Sequence, residues 1–269
     1  QCFTDVGIHV RMQTNGFATK KLIQNCVDAG GHDISISLDS IDLNTQEKIN
    51  GGYAKSFVRA LKTVTDINNV FPKNGSAFFG TVLMPRNINH IKDVIEFATK
   101  IGWGVSLVPA HISTTDRPQG FRTFDDLGVC RFPKSFYPRL KEVLEEIKDM
   151  KKNGYNIYDS DEYIDDIYRF LVGENIHWRK NNNNVCDSPN LYFAIEPNGN
   201  IKPCCDFKLD KNFPVYHENF PKLYQQKKIH ESVYSITRDC AGCMYGSYPE
   251  ISITSHSIKP FVERFLYFK

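Results

Sequence analysis

Residues 76–109, SAFFGTVLMPRNINHIKDVIEFATKIGWGVSLVP, carry the pattern that decides the fold. The stretch opens with an almost wholly apolar run, 76–84, which is typical of a strand covered on both faces. Apolar residues then recur at helical spacing over 89–101, and a second apolar run follows at 103–109. Two such runs joined by an amphipathic helix predict parallel strands connected by a right-handed crossover.

The residues before this stretch continue the same alternation. We predict strands at 8–13 and 33–38, and helices at 20–29 and 53–68. The order β-α-β-α-β-α-β is typical of an α/β protein with a parallel sheet. Ligands of such folds bind at the carboxyl ends of the strands, so functional residues are expected there.

The composition argues against several classes of partner. The 269 residues include 33 Lys plus Arg against 31 Asp plus Glu, a formal net charge of +2. No long basic run is present, which argues against nucleic acid or an anionic membrane as the main partner. No apolar run is long enough to span a bilayer and no secretory signal opens the chain, so we expect a cytoplasmic protein.

Cysteines crowd the last third of the chain, which holds five of the eight: Cys186, Cys204, Cys205, Cys240 and Cys243. A disulfide framework, a zinc site and an iron–sulfur cluster all use cysteines. Disulfide frameworks belong mainly to small secreted domains, and this chain is neither small nor visibly secreted. The local crowding of thiols therefore points to a metal.

Four of these thiols are expected to converge. A β-hairpin is predicted between Cys186 and Cys204 around a turn at 197–200, and its two strands bring both thiols to its open end. Cys240 and Cys243 form a C-x-x-C, a spacing at which one short turn lets both sulfurs reach a single metal centre. Four convergent thiolates describe either a structural Zn(Cys)4 site or an iron–sulfur cluster site.

The spacing of Cys186, the Gly199 turn, Cys204 and the C-x-x-C resembles the auxiliary-cluster module of radical S-adenosylmethionine (radical SAM) enzymes. That module has a longer SPASM form, with further cysteines after the C-x-x-C, and a shorter Twitch form without them. No cysteine follows Cys243, so the resemblance is to the Twitch form.

The first half of the chain supports the same resemblance. MQTNGF (12–17), ISISLDSID (34–42) and GTVLMPRNINHIKDVIEFATKIG (80–102) resemble the third, fourth and fifth βα units of the radical SAM barrel. The resemblance implies an α/β fold, a partial (βα)6 barrel without its first units, followed by a small Twitch-type β-hairpin and helix domain. It divides the chain into the barrel at 1–112, connecting helices at 113–185, the cluster domain at 186–250 and a C-terminal helix at 251–269.

One family motif is missing from these residues. The C-x3-C-x2-C loop, which holds the SAM-cleaving cluster in the family, does not occur in the sequence. That loop belongs to the first βα units, so we expect roughly 60–90 residues upstream, at about thirty residues per unit.

The resemblance implies an enzyme that generates a 5′-deoxyadenosyl radical from S-adenosylmethionine and abstracts hydrogen from a small polar molecule or a peptide. The implied cofactors are S-adenosylmethionine, an auxiliary [4Fe-4S] cluster that accepts an electron, and a SAM-binding cluster in the full-length protein. An electron donor such as a flavodoxin or ferredoxin is the implied partner. The alternatives are a non-enzymatic protein with a structural Zn(Cys)4 module and a degenerate relative that acts as a redox carrier.

The resemblance also assigns roles to individual residues. It implies four auxiliary-cluster ligands: Cys186, Cys204, Cys240 and Cys243. It places six residues at the SAM site: Asn15, Gly16, Ser37, Asp39, Met84 and Val108. His111, at the end of the last barrel strand, is the candidate for a polar or acid–base contact with substrate.

Overall fold

The computed structural model describes residues 1–110, 130–176, 191–204, 207, 209, 211–237, 243–244 and 248–267. The described strands are β1 (Arg11–Thr14), β2 (Asp33–Ser37), β3 (Ser76–Leu83), β4 (Gly104–Pro109), β5 (Ala194–Ile195) and β6 (Ile201–Lys202). The described α-helices are α1 (Cys2–Asp5), α2 (Lys20–Asp28), α3 (Leu43–Ile49), α4 (Ser56–Val70), α5 (Ile91–Lys100), α6 (Tyr137–Lys152), α7 (Asp161–Val172), α8 (Phe220–Tyr224), α9 (Lys227–Thr237), α10 (Tyr248–His256) and α11 (Ile258–Tyr267).

The chain divides into two compact units. The first comprises Gln1–Val108 and Pro138–Asp159, and the second comprises Pro109–Tyr137 and Ser160–Lys269. None of the described helices combines the length and apolarity that a membrane crossing requires.

A four-stranded sheet in the order β1-β2-β3-β4 organises the first unit. β1 pairs in parallel with β2, and β2 pairs in parallel with β3, with Thr14 opposite Ile36 and Ser37 opposite Gly80. Parallel neighbours in chain order, each reached through a helix, are the arrangement that the alternating apolar runs predict. The predicted α/β class with a parallel sheet is confirmed.

The helices cover one face of this sheet with apolar side chains. Ile34 and Ile36 of β2 are fully buried, as is Phe79 of β3. The Phe79 ring stacks on Phe97 of α5 at 5.8 Å between centroids and lies 4.8 Å from the ring of Trp103. Phe78, on the opposite face of β3, is buried as well. β3 is therefore covered on both faces, which explains why it reads as a continuous apolar run in the sequence.

The second unit contains α7 and the paired helices α10 and α11, together with the β5–β6 hairpin. The Ser160 side chain caps α7 by accepting the Tyr163 N–H, and Gly173 ends the helix at φ +84°. Buried Glu250 of α10 accepts the Ser160 N–H at 3.2 Å and lies 3.7 Å from the guanidinium of Arg264 on α11. These contacts hold α7, α10 and α11 together.

Several elements differ from the sequence predictions. β1 begins at Arg11 rather than at residue 8, and α4 begins at Ser56 rather than at residue 53. The segment predicted as one C-terminal helix, 251–269, holds two helices, α10 and α11, of which α10 begins at Tyr248. α3 was missed because its sequence, LNTQEKI, has almost no apolar periodicity, although Asp42 caps it by accepting the Thr45 N–H.

Candidate functional site

The loop after β1 lies close against α4. Gly16 has a φ of +85°, and a Cβ placed on it would lie 2.9 Å from both Cα and Cβ of Ala60. The hydroxyl of Thr63 donates to the Gly16 carbonyl oxygen at 2.6 Å. Glycine is therefore required at this position both for the left-handed backbone and for the close approach of the helix.

The turn after β2 is held by buried polar side chains. Gln46 of α3 is buried, and its Oε1 accepts the main-chain N–H groups of Asp39 at 2.9 Å and Ser40 at 2.7 Å. The Asp39 carboxylate in turn accepts the Val82 N–H of β3 at 2.7 Å. Asp39 thus links the carboxyl ends of β2 and β3 instead of pointing into solvent.

Asn87 completes this network from the loop after β3. Its side chain is fully buried, and Nδ2 donates to the main-chain oxygens of Asp39 at 2.8 Å and Val82 at 2.7 Å. Its Oδ1 accepts the Met84 N–H at 2.9 Å. The amide therefore fixes both loops at the sheet end where ligands of parallel folds bind.

Some small side chains lie on the sheet face opposite the helix-covered core, toward the carboxyl ends of β2 and β3. Ser35, Ser37 and Gly80 are half-buried there, and Ser37 lies opposite Gly80 in the strand register. A Cβ on Gly80 would lie 3.4 Å from the Ser35 hydroxyl. The same face also carries Phe78, which lies opposite Ser35, is buried, and has the Arg11 guanidinium 4.7 Å and the Tyr158 ring 5.3 Å from its ring centroid.

The Asp159 side chain accepts hydrogen bonds from the outer edge of β4, which is the last strand of the sheet. The segment before it pairs with the strand, since Val105 and Ile157 form a parallel bridge. The Asp159 carboxylate then accepts the Leu107 N–H at 2.6 Å and the Ser106 hydroxyl at 3.0 Å. A side chain thus replaces the next strand residue as hydrogen-bond partner of β4.

Burial changes the acidity of both carboxyl groups. Desolvation raises the pKa of Asp39 to about 6, against the opposing effect of the Val82 N–H. Desolvation likewise raises the pKa of Asp159 to about 7, although the bonds from Leu107 and Ser106 favour the charged form. In the folded chain Asp39 therefore keeps its proton up to about pH 6 and Asp159 up to about pH 7.

The sequence-predicted SAM residues all lie in the first unit. Hydrogen bonds to a shared side chain connect only two of them. Asp39 and Met84 are buried and joined through Asn87, whereas Ser37 and Val108 are half-buried on their strands. Asn15 is exposed and its Oδ1 accepts the Phe17 N–H at 3.3 Å. The sequence analysis did not identify three side chains that hold the loops and the edge of β4 by hydrogen bonds: Gln46, Asn87 and Asp159.

The predicted cluster ligands are only partly described. Cys186, Cys240 and the candidate His111 lie outside the described residues. Cys204 and Cys243 are half-buried, and the Cys204 sulfur accepts the Phe207 N–H at 3.4 Å. Within the described ranges, no three His, Cys, Asp or Glu side chains form a group able to hold a metal ion.

The predicted hairpin is present in shorter form. β5 and β6 pair antiparallel, with Ile195 opposite Ile201, and Gly199 lies in the turn at φ +83°. A third segment extends the pair, since the Ile201 N–H donates to the Phe213 oxygen at 2.9 Å. Cys204 lies two residues beyond the end of β6, close after the returning strand, as the sequence predicts.

Comparisons with known proteins find similarity in structure but not in sequence. No protein-family model and no curated protein sequence matches the chain. Crystal structures of SuiB from Streptococcus suis match, one bound to its precursor peptide SuiA, with 14% identity and a TM-score of 0.58. Another, bound to S-adenosylmethionine, matches with 12% identity and a TM-score of 0.56.

These matches cover 96% of this chain but only 58% and 59% of the SuiB chains. The chain thus spans less than two thirds of the length of the structures that it resembles. At this identity the likeness shows a shared fold.

Proposed function

We propose that this chain is part of a radical SAM enzyme that modifies a peptide and carries a Twitch-type auxiliary [4Fe-4S] cluster. One observation carries the proposal: 96% of the chain shares its fold with SuiB, which has been crystallised both with S-adenosylmethionine and with a precursor peptide. The family resemblance of three βα units and of the cysteine spacing points to the same chemistry.

The sheet face around Ser37 and Gly80 is the proposed SAM site. Ser37 would donate or accept a hydrogen bond at the carboxyl end of β2, and Gly80, opposite it in the strand register, carries no side chain. Asp39 and Met84 border this end, where Asn87 fixes their main chains. The remaining proposed contacts come from the Asn15–Gly16 turn and from Val108. When bound, SAM together with a reduced cluster supplies a carbon radical that removes a hydrogen atom from substrate.

The fixed loops have a role in this chemistry. A radical reaction requires substrate and cofactor to be held in one geometry, with water and stray hydrogen donors excluded. Buried side chains, Gln46 and Asn87, accept or donate five hydrogen bonds to the two loops. His111 is proposed as a polar or acid–base contact with the substrate, and a flavodoxin or ferredoxin as the electron donor.

The auxiliary cluster is proposed to be held by Cys186, Cys204, Cys240 and Cys243. The described part of this set fits such a group: both thiols are half-buried, and the Phe207 N–H donates to the Cys204 sulfur. Hydrogen bonds to cluster sulfurs and partial burial are the means by which proteins tune such centres. With four protein ligands the cluster would accept an electron rather than bind substrate. A structural zinc would need the same four thiolates, so metal analysis separates the two.

Formation of 5′-deoxyadenosine tests the proposed reaction. The protein as its gene encodes it, purified without oxygen, is incubated with SAM and dithionite, and the nucleoside is measured by mass spectrometry. We expect turnover, and we expect Ser37→Ala to raise KM for SAM about tenfold through loss of a hydrogen bond. Ser76→Ala, at the amino end of β3, is the matched control and should leave KM unchanged. Absence of 5′-deoxyadenosine from the metal-loaded protein would contradict the proposal.

A further inference from the structure

A cavity lies at the rim of the sheet, between the loop after β1 and the connection from α3 to α4. Its volume is about 370 Å³, and five residues line it: Asn15, Phe17, Asn50, Tyr53 and Ser56. That volume is near the lower end of the ~300–1,000 Å³ of small-molecule pockets. Of the six residues proposed to contact SAM, Asn15 is the one found in this lining.

Two aromatic side chains form one wall of the cavity and remain open to solvent. Phe17 and Tyr53 meet edge to face, with ring centroids 5.6 Å apart and an interplanar angle of 64°. They remain 37% and 52% exposed. An aromatic ring of a ligand that packs against this pair gains favourable ring contacts. It also removes the exposed apolar surface of both side chains from water.

The aromatic wall is already held in place. The guanidinium of Arg59 lies 5.2 Å from the Phe17 ring centroid and 5.9 Å from that of Tyr53. It also lies 3.4 Å from the Tyr53 hydroxyl, to which it donates. This arrangement orders both rings before any ligand arrives, which lowers the entropy cost of binding.

The polar groups of the cavity are neutral. Asn50 donates from Nδ2 to the Ser56 hydroxyl at 3.1 Å, and Asn15 accepts the Phe17 N–H. No described residue pairs with the Asn50 Oδ1 or the Asn15 Nδ2, so one acceptor and one donor remain for a ligand. A carboxamide acceptor and donor match the N–H and C=O of a peptide group.

We propose that this cavity binds an aromatic residue of the peptide substrate, with the side chain against Phe17 and Tyr53 and its peptide group against Asn15 and Asn50. The choice of a peptide rests on the proposed function, whereas the cavity and its chemistry do not. None of the five lining side chains is charged, and the nearby Arg59 guanidinium already contacts both rings and the Tyr53 hydroxyl. The lining therefore favours an uncharged aromatic group over a phosphorylated or carboxylate ligand.

Binding of N-acetyl-L-tyrosinamide to the 269-residue chain tests this inference. The titration is followed by NMR of protein labelled at phenylalanine and tyrosine, with N-acetyl-L-alaninamide as the comparison ligand. We expect the tyrosine amide to bind, to shift the Phe17 and Tyr53 signals, and to bind more tightly than the alanine amide. Tyr53→Leu should weaken binding about tenfold, as expected for loss of one aromatic contact and its apolar area.

Tyr234→Leu is the matched control, because Tyr234 is 53% exposed on α9, far along the chain from the cavity. It should bind the tyrosine amide as the parent chain does, and circular dichroism verifies that each variant is folded. Three results would overturn the inference. They are equal affinity for both amides, unchanged affinity in a folded Tyr53→Leu variant, and displacement of the tyrosine amide by adenosine.

The binding assay needs no cluster, reductant or SAM, so its result is independent of the proposed function. A protein that forms 5′-deoxyadenosine but fails to bind the tyrosine amide would overturn this inference alone. Binding at the cavity in a protein that never cleaves SAM would support the site while contradicting the radical SAM proposal.

Discussion

The side-chain amide of Asn87 donates a hydrogen bond to the main-chain oxygen of Asp39 at 2.8 Å, across 48 positions of sequence. The bond joins the loop after β3 to the turn after β2, at the sheet end where the ligand is proposed to bind. Because Asn87 is fully buried, water does not replace its hydrogen bonds when the side chain is removed.

Asn87→Ala should therefore destabilise the chain by about 3 kcal/mol, since it leaves several buried main-chain groups without partners. Urea unfolding of the variant and the parent chain measures the difference. Asn74→Ala is the matched control, because Asn74 is exposed in the turn before β3, and it should change stability by less than about 0.5 kcal/mol. Equal midpoints for Asn87→Ala and the control would contradict the proposed role of this side chain.

Gly16→Ala tests the close contact between the β1 loop and α4. The new methyl group would lie 2.9 Å from Ala60, and the positive φ would be retained at a further cost. We expect a loss of about 2–4 kcal/mol, against about 1 kcal/mol for Gly102→Ala, where the φ of +76° is similar but no atom lies within 4 Å. Thermal unfolding of the two variants gives the comparison, and equal losses would show that backbone strain alone limits position 16.

Asp159 should make stability depend on pH. Desolvation raises the pKa of Asp159 from 3.8 to about 7, so between these pH values the folded chain holds a proton that the unfolded chain has released. The stability that this proton contributes is complete below pH 4 and is lost as pH rises to 7.

Asp159→Asn removes this titration and keeps an oxygen that can accept the Leu107 N–H. The stability of the variant relative to the parent chain should therefore rise by about 1.4 kcal/mol per pH unit between pH 5 and 7. Denaturant unfolding at several pH values measures this difference. A difference that stays constant over the range would mean that Asp159 is ionised throughout in the folded chain.

The sheet was predictable from the sequence because its strands bury apolar side chains, in β3 on both faces, and therefore read as apolar runs. The pattern over 76–109 gave β3, α5 and β4 with boundaries close to those observed. α3 was not predictable in the same way, because it contributes mainly Gln46, whose buried amide serves the turn after β2.

The side chains that hold the site together by hydrogen bonds were harder to predict from the sequence than the strands were. Asp159 bonds to Leu107 across 52 positions, and Asn87 bonds to Asp39 across a similar separation. Contacts over such distances leave no local periodicity in the sequence. Met84, by contrast, was assigned by family resemblance to a contact with SAM, and the structure adds that Asn87 holds its N–H.

The proposed chemistry depends most on the auxiliary cluster. The most direct test is Mössbauer spectroscopy of the anaerobically purified chain, together with analysis of its iron, sulfide and zinc content. We expect about four iron and four sulfide per chain and the spectrum of a [4Fe-4S] cluster. Cys204→Ser should lose most of this iron, whereas Cys2→Ser, at an exposed cysteine remote in sequence, should retain it. One zinc per chain without sulfide, or full iron content in Cys204→Ser, would contradict the proposed cluster.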